Sequence, residues 1–234
     1  MALTAPPIPA PTYYWDIEQG TDEWHDLRRG LITASAIDCL LTAGGKPASN
    51  ETSRKALYKL LGERLTGESD DSASTFDMAR GHLLEPYARD IYAQRFGPVV
   101  ECGFIVATLG NVQIGYSPDG LVGDDGLIEI KSPRAKKHLL SLLTDTVPAE
   151  YISQVQTGLA VSGRRWCDFI SYCPGLPLFV QRCRRDENRI AQLITAAQAA
   201  EEQLAGMLTL YQEVALKFPA TEPLAPESSD EINL

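Results

Sequence analysis

A chain of 234 residues, 44% hydrophobic and 22% charged, is long enough to bury one sizeable core and has the composition of a globular protein. No apolar stretch is long enough to cross a bilayer, and five cysteines without a C-x-x-C pair argue against an iron–sulfur or structural zinc site and for reduced thiols. The net charge of −10 argues at first against a nucleic-acid partner, but it is unevenly spread: the stretch from Pro219 holds Glu222, Glu227, Asp230 and Glu231 with no Lys or Arg, while Lys131, Arg134, Lys136 and Lys137 fall together.

In chain order, MALTAPPIPAPT carries Pro6, Pro7, Pro9 and Pro11 and lacks a charged leader, which predicts a flexible arm over residues 1–14 and no secretion signal. Residues 19–30 read as a short helix, with Thr21 as N-cap, early acids, late arginines and Gly30 closing it. A second helix is expected over 31–45, capped by Thr33 or Ser35 and stopped at Gly44-Gly45. Residues 53–67 are amphipathic, with Ala56, Leu57, Leu60, Leu61 and Leu65 on one stripe. After a polar linker, 75–97 is helical with a bend expected near Gly81 or Pro86.

Strands are expected at 99–107, 112–117, 120–122 and 127–131, then helices at 135–143 and 149–163. WCDFISYC and LFVQRC form a further strand pair, with Cys167 and Cys173 as small core fillers, and 186–218 is one long helix or two short ones. The pattern predicts an α/β or α+β domain over 15–218, a central mixed sheet flanked by helices, and an acidic flexible tail over 219–234.

One segment carries chemistry. In SPDGLVGDDGLIEIKSP, period-2 alternation puts Leu127, Glu129 and Lys131 on one strand face and Ile128 and Ile130 on the other, with Asp119 in the turn before. Phosphodiester hydrolysis gives this arrangement a reason. Mg²⁺ takes oxygen ligands at about 2.0–2.1 Å and keeps several waters, so Asp119, Glu129 and a carbonyl such as that of Ile130 suffice. Lys131 would orient or deprotonate the attacking water and stabilise the charged transition state. A surface hairpin with a Glu–Lys pair explains the trio equally well.

Other candidates each have a plainer reading. Glu85 would join the same cleft, or make an i,i+4 pair with Arg89 on a solvated face. Arg28 beside a helix N-terminus with the Thr33 and Ser35 hydroxyls would form a phosphate pocket, or merely complement a helix C-terminus. Tyr151 and Gln154, three apart, can share a helix face, whereas Gln154 and Gln156 cannot. His25, His82 and His138 lack metal-ligand spacing.

Taken together, EQGTDEWHDLRRGLITAS (18–35), RGHLLEPYARDIY (80–92), SPDGLV (117–122), LIEIKSP (127–133) and YISQVQTGLAVSG (151–163) resemble the lambda exonuclease and YqaJ-type viral recombinase family, nucleases of restriction-endonuclease-like, PD-(D/E)xK fold. The resemblance implies a Mg²⁺-dependent 5′→3′ exonuclease, with one or two ions and Mn²⁺ as a substitute, that degrades one strand of linear duplex DNA to mononucleotides. It implies catalytic Asp119, Glu129 and Lys131, with Glu85 at the metal site and Gln154 and Tyr151 in support. It further implies that Arg28, Ser35 and Ser117 grip a 5′-phosphate and that Met78 wedges the strands apart. The implied partners are a single-strand annealing protein and two further copies in a ring-shaped homotrimer, in the cytoplasm of a bacterial host of a phage or prophage. One departure is plain: where the lambda enzyme has a further aspartate, this chain reads Leu109-Gly110-Asn111. The competing readings are a repair or defence nuclease of the same superfamily cutting single strands or internal sites, and a non-catalytic DNA-binding member of the fold.

Overall fold

The computed structural model describes residues 10–69 and 76–222, with the side chains of residues 76–78 outside that description. Among the described residues, eight strands form two four-stranded sheets, so the expected mixed sheet is divided. The first sheet contains β1 (Thr12–Tyr14), β3 (Phe104–Leu109), β4 (Val112–Tyr116) and β2 (Ile32–Thr33) in that order, the last pairing parallel. The second runs β5 (Gly120–Val122), β6 (Gly126–Lys131), β7 (Trp166–Ser171) and β8 (Phe179–Arg184). Parallel β6 and β7 require a crossover, which α4 (Ala135–Thr144) and α5 (Ala149–Ser162) supply. A bridge between Val100 and Leu121 links the segment before β3 to β5.

The helices form where side-chain spacing and caps agree. Thr21 caps α1 (Asp22–Arg28) by accepting from the Trp24 amide. Asn50 and Ser53 cap α2 (Glu51–Thr66) reciprocally, and Gly67 ends it in the left-handed conformation. On α2 Leu57, Leu60 and Leu61 are buried and Ala56 packs against them, but Leu65 is exposed. The helix α3 (Phe76–Phe96) is a single element that carries Pro86 inside it. The C-terminal stretch is one helix, α6 (Glu187–Ala215), which buries Ile190, Leu193, Ala196, Ala197, Ala200 and Leu204 at helical spacing.

Two expectations fail. Residues 31–45 are not a helix: they hold β2 and a single 3₁₀ turn, Ile37–Leu40, and the Ala36 side chain caps nothing. β-branched Ile32 and Thr33 pair with Ile114 and Gly115, and the Ala34 amide donates to the Gly115 carbonyl, so distant backbone outweighs local helical spacing. Residues 12–14, assigned above to a flexible arm, form β1 against Phe104–Val106, and the Tyr13 hydroxyl donates to the Ser162 carbonyl at 2.9 Å. The rest of that arm, through residue 9, and the tail from 223 lie outside the described residues.

The main core lies between the first sheet, β6 and β7, and helices α2, α5 and α6. A second cluster of Ala88, Tyr92, Ile128, Ile130 and Ile170 packs α3 onto the far face of β6 and β7. Strand β6 is thereby covered on both faces.

Candidate active site

Alternation along β6 sends Ile128 and Ile130 into the α3 contact and leaves Glu129 and Lys131 facing the other way. Glu129 is 1% exposed. Its Oε1 accepts from Lys131 Nζ at 2.7 Å and from Gln154 Nε2 of α5 at 2.5 Å. Its Oε2 accepts from the Tyr116 hydroxyl at 3.1 Å. The Lys131 ammonium also stands 5.5 Å from the centroid of Tyr151, whose ring stacks on Phe169.

Asp119 lies in the turn between β4 and β5, and its Oδ2 accepts from the Ile130 amide at 2.5 Å. A strand residue points its amide and carbonyl to the same side, so the Ile130 carbonyl opens toward Asp119 while that of Lys131 accepts from Tyr172 on the β7 side. Glu85 reaches the same cleft from α3. Its pair with Arg89 exists at 2.5 Å, but it is largely buried and does not lie on a solvated face: Arg89 also donates to the Asp119 carbonyl at 2.8 Å and pairs with Glu101 at 3.0 Å. Arg89 thus ties α3 to the turn that carries Asp119.

These groups perturb one another. Burial lifts the Asp119 carboxyl well above the usual carboxylate range, and the charges of Glu129 and Glu85 lift it further. Burial also raises Glu85, against the opposing pull of Arg89 and His82. At Lys131 burial disfavours the ammonium, yet Glu129 and Asp119 outweigh it and hold the amine protonated.

The other end of the 360 Å³ cleft is cationic and aromatic. Arg28 Nη1 and Trp24 Nε1 both donate to Ser117 Oγ at 3.0 Å, and the guanidinium lies over the Trp24 ring at 4.1 Å. Ser35 lines the same cleft, and its hydroxyl is 3.2 Å from that of Thr33. Thr33 itself is buried and faces a neighbouring 100 Å³ cavity. The helix N-terminus expected beside Arg28 is absent, because β2 occupies that position. Met78 belongs to α3, but its side chain lies outside the described residues.

Glu85, Asp119, Glu129, Ile130, Lys131, Ser117, Arg28, Ser35, Tyr151 and Gln154 therefore line one cleft. Gln156 points elsewhere, donating to the Arg184 carbonyl and accepting from the Asp186 amide. The Leu109-Gly110-Asn111 segment is the β3–β4 hairpin turn, pinned to α6 by Gln198 and Asn111 and outside the lining of the cleft. The cleft is also lined by Trp24, Tyr116 and Gln19, which the sequence did not single out, and Arg80 braces its rim at Ser132. For Trp24 a signal existed in its i,i+4 spacing to Arg28, whereas the Arg80 bond to the Ser132 carbonyl and the Gln19 bond to the Pro118 carbonyl had none.

No group of three or more His, Cys, Asp or Glu side chains among the described residues converges as a metal cage. The donor set nonetheless fits a hard cation. Asp119, Glu129 and the Ile130 carbonyl offer oxygen only, and Mg²⁺ fills the rest of its shell with water. Three carboxylates converge beside Lys131, with Arg89 paired to Glu85, and burial together with their mutual repulsion holds Asp119 and Glu85 above the ordinary carboxylate range, a repulsion that a divalent ion relieves.

Residues 23–165 match the model of the YqaJ-like viral recombinase domain. An alkaline exonuclease (LHK-Exo) from Laribacter hongkongensis is 37% identical, with a TM-score of 0.74 over 84% of this chain and 99% of that one. LHK-Exo in complex with dAMP matches with the same identity and TM-score, over 85% of this chain and 100% of that one. A phage related exonuclease from Haemophilus somnus 129PT is 13% identical, with a TM-score of 0.61 over 79% of this chain and 98% of that one, a likeness of fold alone. No protein with a curated description matches the sequence.

Proposed function

The chain belongs to the YqaJ-like viral recombinase family, and from that premise we propose that it is a Mg²⁺-dependent 5′→3′ exonuclease acting on the ends of linear duplex DNA. The observation that carries the reading is the shared cleft, with Asp119, Glu129 and Lys131 at one end and the Arg28–Ser117 pair at the other. The alkaline exonuclease that binds dAMP supports a nucleotide ligand.

Asp119, Glu129 and the Ile130 carbonyl would hold the metal, with Glu85 alongside. When bound, Mg²⁺ supplies charge neutralisation at phosphate oxygens and a more acidic water. Lys131 remains an ammonium between Glu129 and Asp119, which supports a role in stabilising the anionic phosphorane rather than in removing a proton. Gln154 and Tyr151 keep Glu129 and Lys131 in place from α5. Arg28, with the Ser117 and Ser35 hydroxyls, binds the terminal 5′-phosphate, and the fixed span from there to the carboxylates sets the cut at one nucleotide.

The products are mononucleotides and a 3′ single strand, the substrate of a strand-annealing partner in phage-type recombination inside a bacterial cell. A homotrimeric ring around the duplex reconciles the acidic chain with DNA, because topology then replaces part of the affinity that basic surfaces supply. The nuclease domain of this reading runs through residue 218 and begins at Thr12 rather than at residue 15, because β1 belongs to its first sheet.

The test is a linear duplex carrying a 5′-phosphate, labelled at either end, incubated with the protein and Mg²⁺. Mononucleotides should appear from 5′ ends, closed circular duplex should stay intact, and Glu129→Ala should be inactive. Release from 3′ ends, or nicking of the circle, would refute it.

A further inference from the structure

We propose that Tyr116 is a positioning residue for this site, holding the Glu129 carboxylate in the one orientation that leaves Oε2 able to receive the metal; the inference rests on the function proposed above. Tyr116 closes β4 immediately before Ser117, and its side chain is 1% exposed. Glu129 has room for about four hydrogen-bonding partners on its two oxygens. Lys131 and Gln154 take two on Oε1 and the Tyr116 hydroxyl takes one on Oε2, so the remaining acceptor direction belongs to the oxygen that Tyr116 holds.

The phenol is itself held. Its ring lies against Gly158 of α5, where an added Cβ would come within 2.7 Å of the ring. A glycine inside a helix costs about 1 kcal/mol relative to alanine, and the close approach of Tyr116 accounts for one here. Gln154 stands one turn earlier on the same helix. Helix α5 therefore supports both oxygens, Oε1 directly through Gln154 and Oε2 through the tyrosine resting on Gly158. Removing the hydroxyl leaves the ring packing intact and releases Oε2 alone.

Mn²⁺ binding followed by electron paramagnetic resonance, without DNA, tests this on the full chain. Tyr116→Phe should weaken Mn²⁺ binding by about tenfold or more in a protein that still folds and melts cooperatively, a little below wild type. In the Mg²⁺ reaction kcat should fall by a similar factor while KM for duplex ends stays within twofold. Gly158→Ala, which keeps the hydroxyl but pushes the ring, should weaken Mn²⁺ in the same direction. If wild type binds Mn²⁺, Glu129→Ala abolishes that binding and Tyr116→Phe leaves it unchanged, the positioning role is refuted and the proposed function stands. If wild type binds no Mn²⁺, both fall.

Discussion

Lys131 Nζ lies 2.7 Å from Glu129 Oε1, and the two side chains sit two residues apart on one face of β6, the acid almost wholly buried and the ammonium one-quarter exposed. Removing the ammonium leaves the carboxylate with only neutral donors. Lys131→Ala is expected to lower kcat by about 10²–10³-fold, the cost of losing one charge-stabilising donor. It should also destabilise the fold by about 3 kcal/mol, the low end for breaking a buried pair, because Gln154 and Tyr116 still hold Glu129. Single-turnover digestion and urea denaturation measure the two effects.

Metal and pH should be coupled. Burial, with the charge of Glu129 adding to it, raises the Asp119 and Glu85 carboxyls, so the folded protein binds their protons more tightly than the unfolded chain does. Their contribution to stability is complete below the unfolded values and is lost as pH rises through the folded ones. The metal-free protein should therefore lose stability as pH rises from about 4, the ordinary carboxylate value, toward neutrality and above, and Mg²⁺ should restore more of it at the higher pH. Melting curves with and without Mg²⁺ across that range decide the matter. A metal increment that does not grow with pH, or one that persists unchanged in Asp119→Asn, would contradict it.

End recognition is separable from chemistry. Arg28→Ala should raise KM for 5′-phosphorylated duplex by about tenfold or more, as befits a charge-assisted bond to phosphate, and leave 5′-hydroxyl ends nearly unaffected. Steady-state digestion of the two substrates supplies the ratio. Equal losses on both would assign Arg28 to general DNA binding.

Behind the site, Asp168 of β7 is buried and accepts from Tyr92 at 2.6 Å and from two Arg182 nitrogens at 2.8 Å. It joins α3 to β7 and β8 on the face opposite Phe169. Asp168→Ala strands the buried Tyr92 hydroxyl and should cost about 2–4 kcal/mol in urea denaturation. Enzyme that remains folded should keep its kcat, since no atom of this network lines the cleft.

By itself the sequence determined the strictly periodic parts. Two-residue alternation put Glu129 and Lys131 on one face, Thr21 started α1, and the spacing of Tyr151 and Gln154 put both on one side of α5, because each of these depends on residues within a turn or a strand of one another. Tertiary structure decided what depends on distant partners. Ile32 and Thr33 have helical company in sequence but became strand because β4, some eighty residues on, offered free backbone. Thr12–Tyr14, in a proline-rich stretch, became strand because β3 did the same. The second oxygen of Glu129 met Tyr116, and the Asp119 turn met Arg89, through packing of α5 and α3 that no local pattern encodes. A backbone or carboxylate group out of reach of water takes whichever partner the whole fold brings near, and that choice is global.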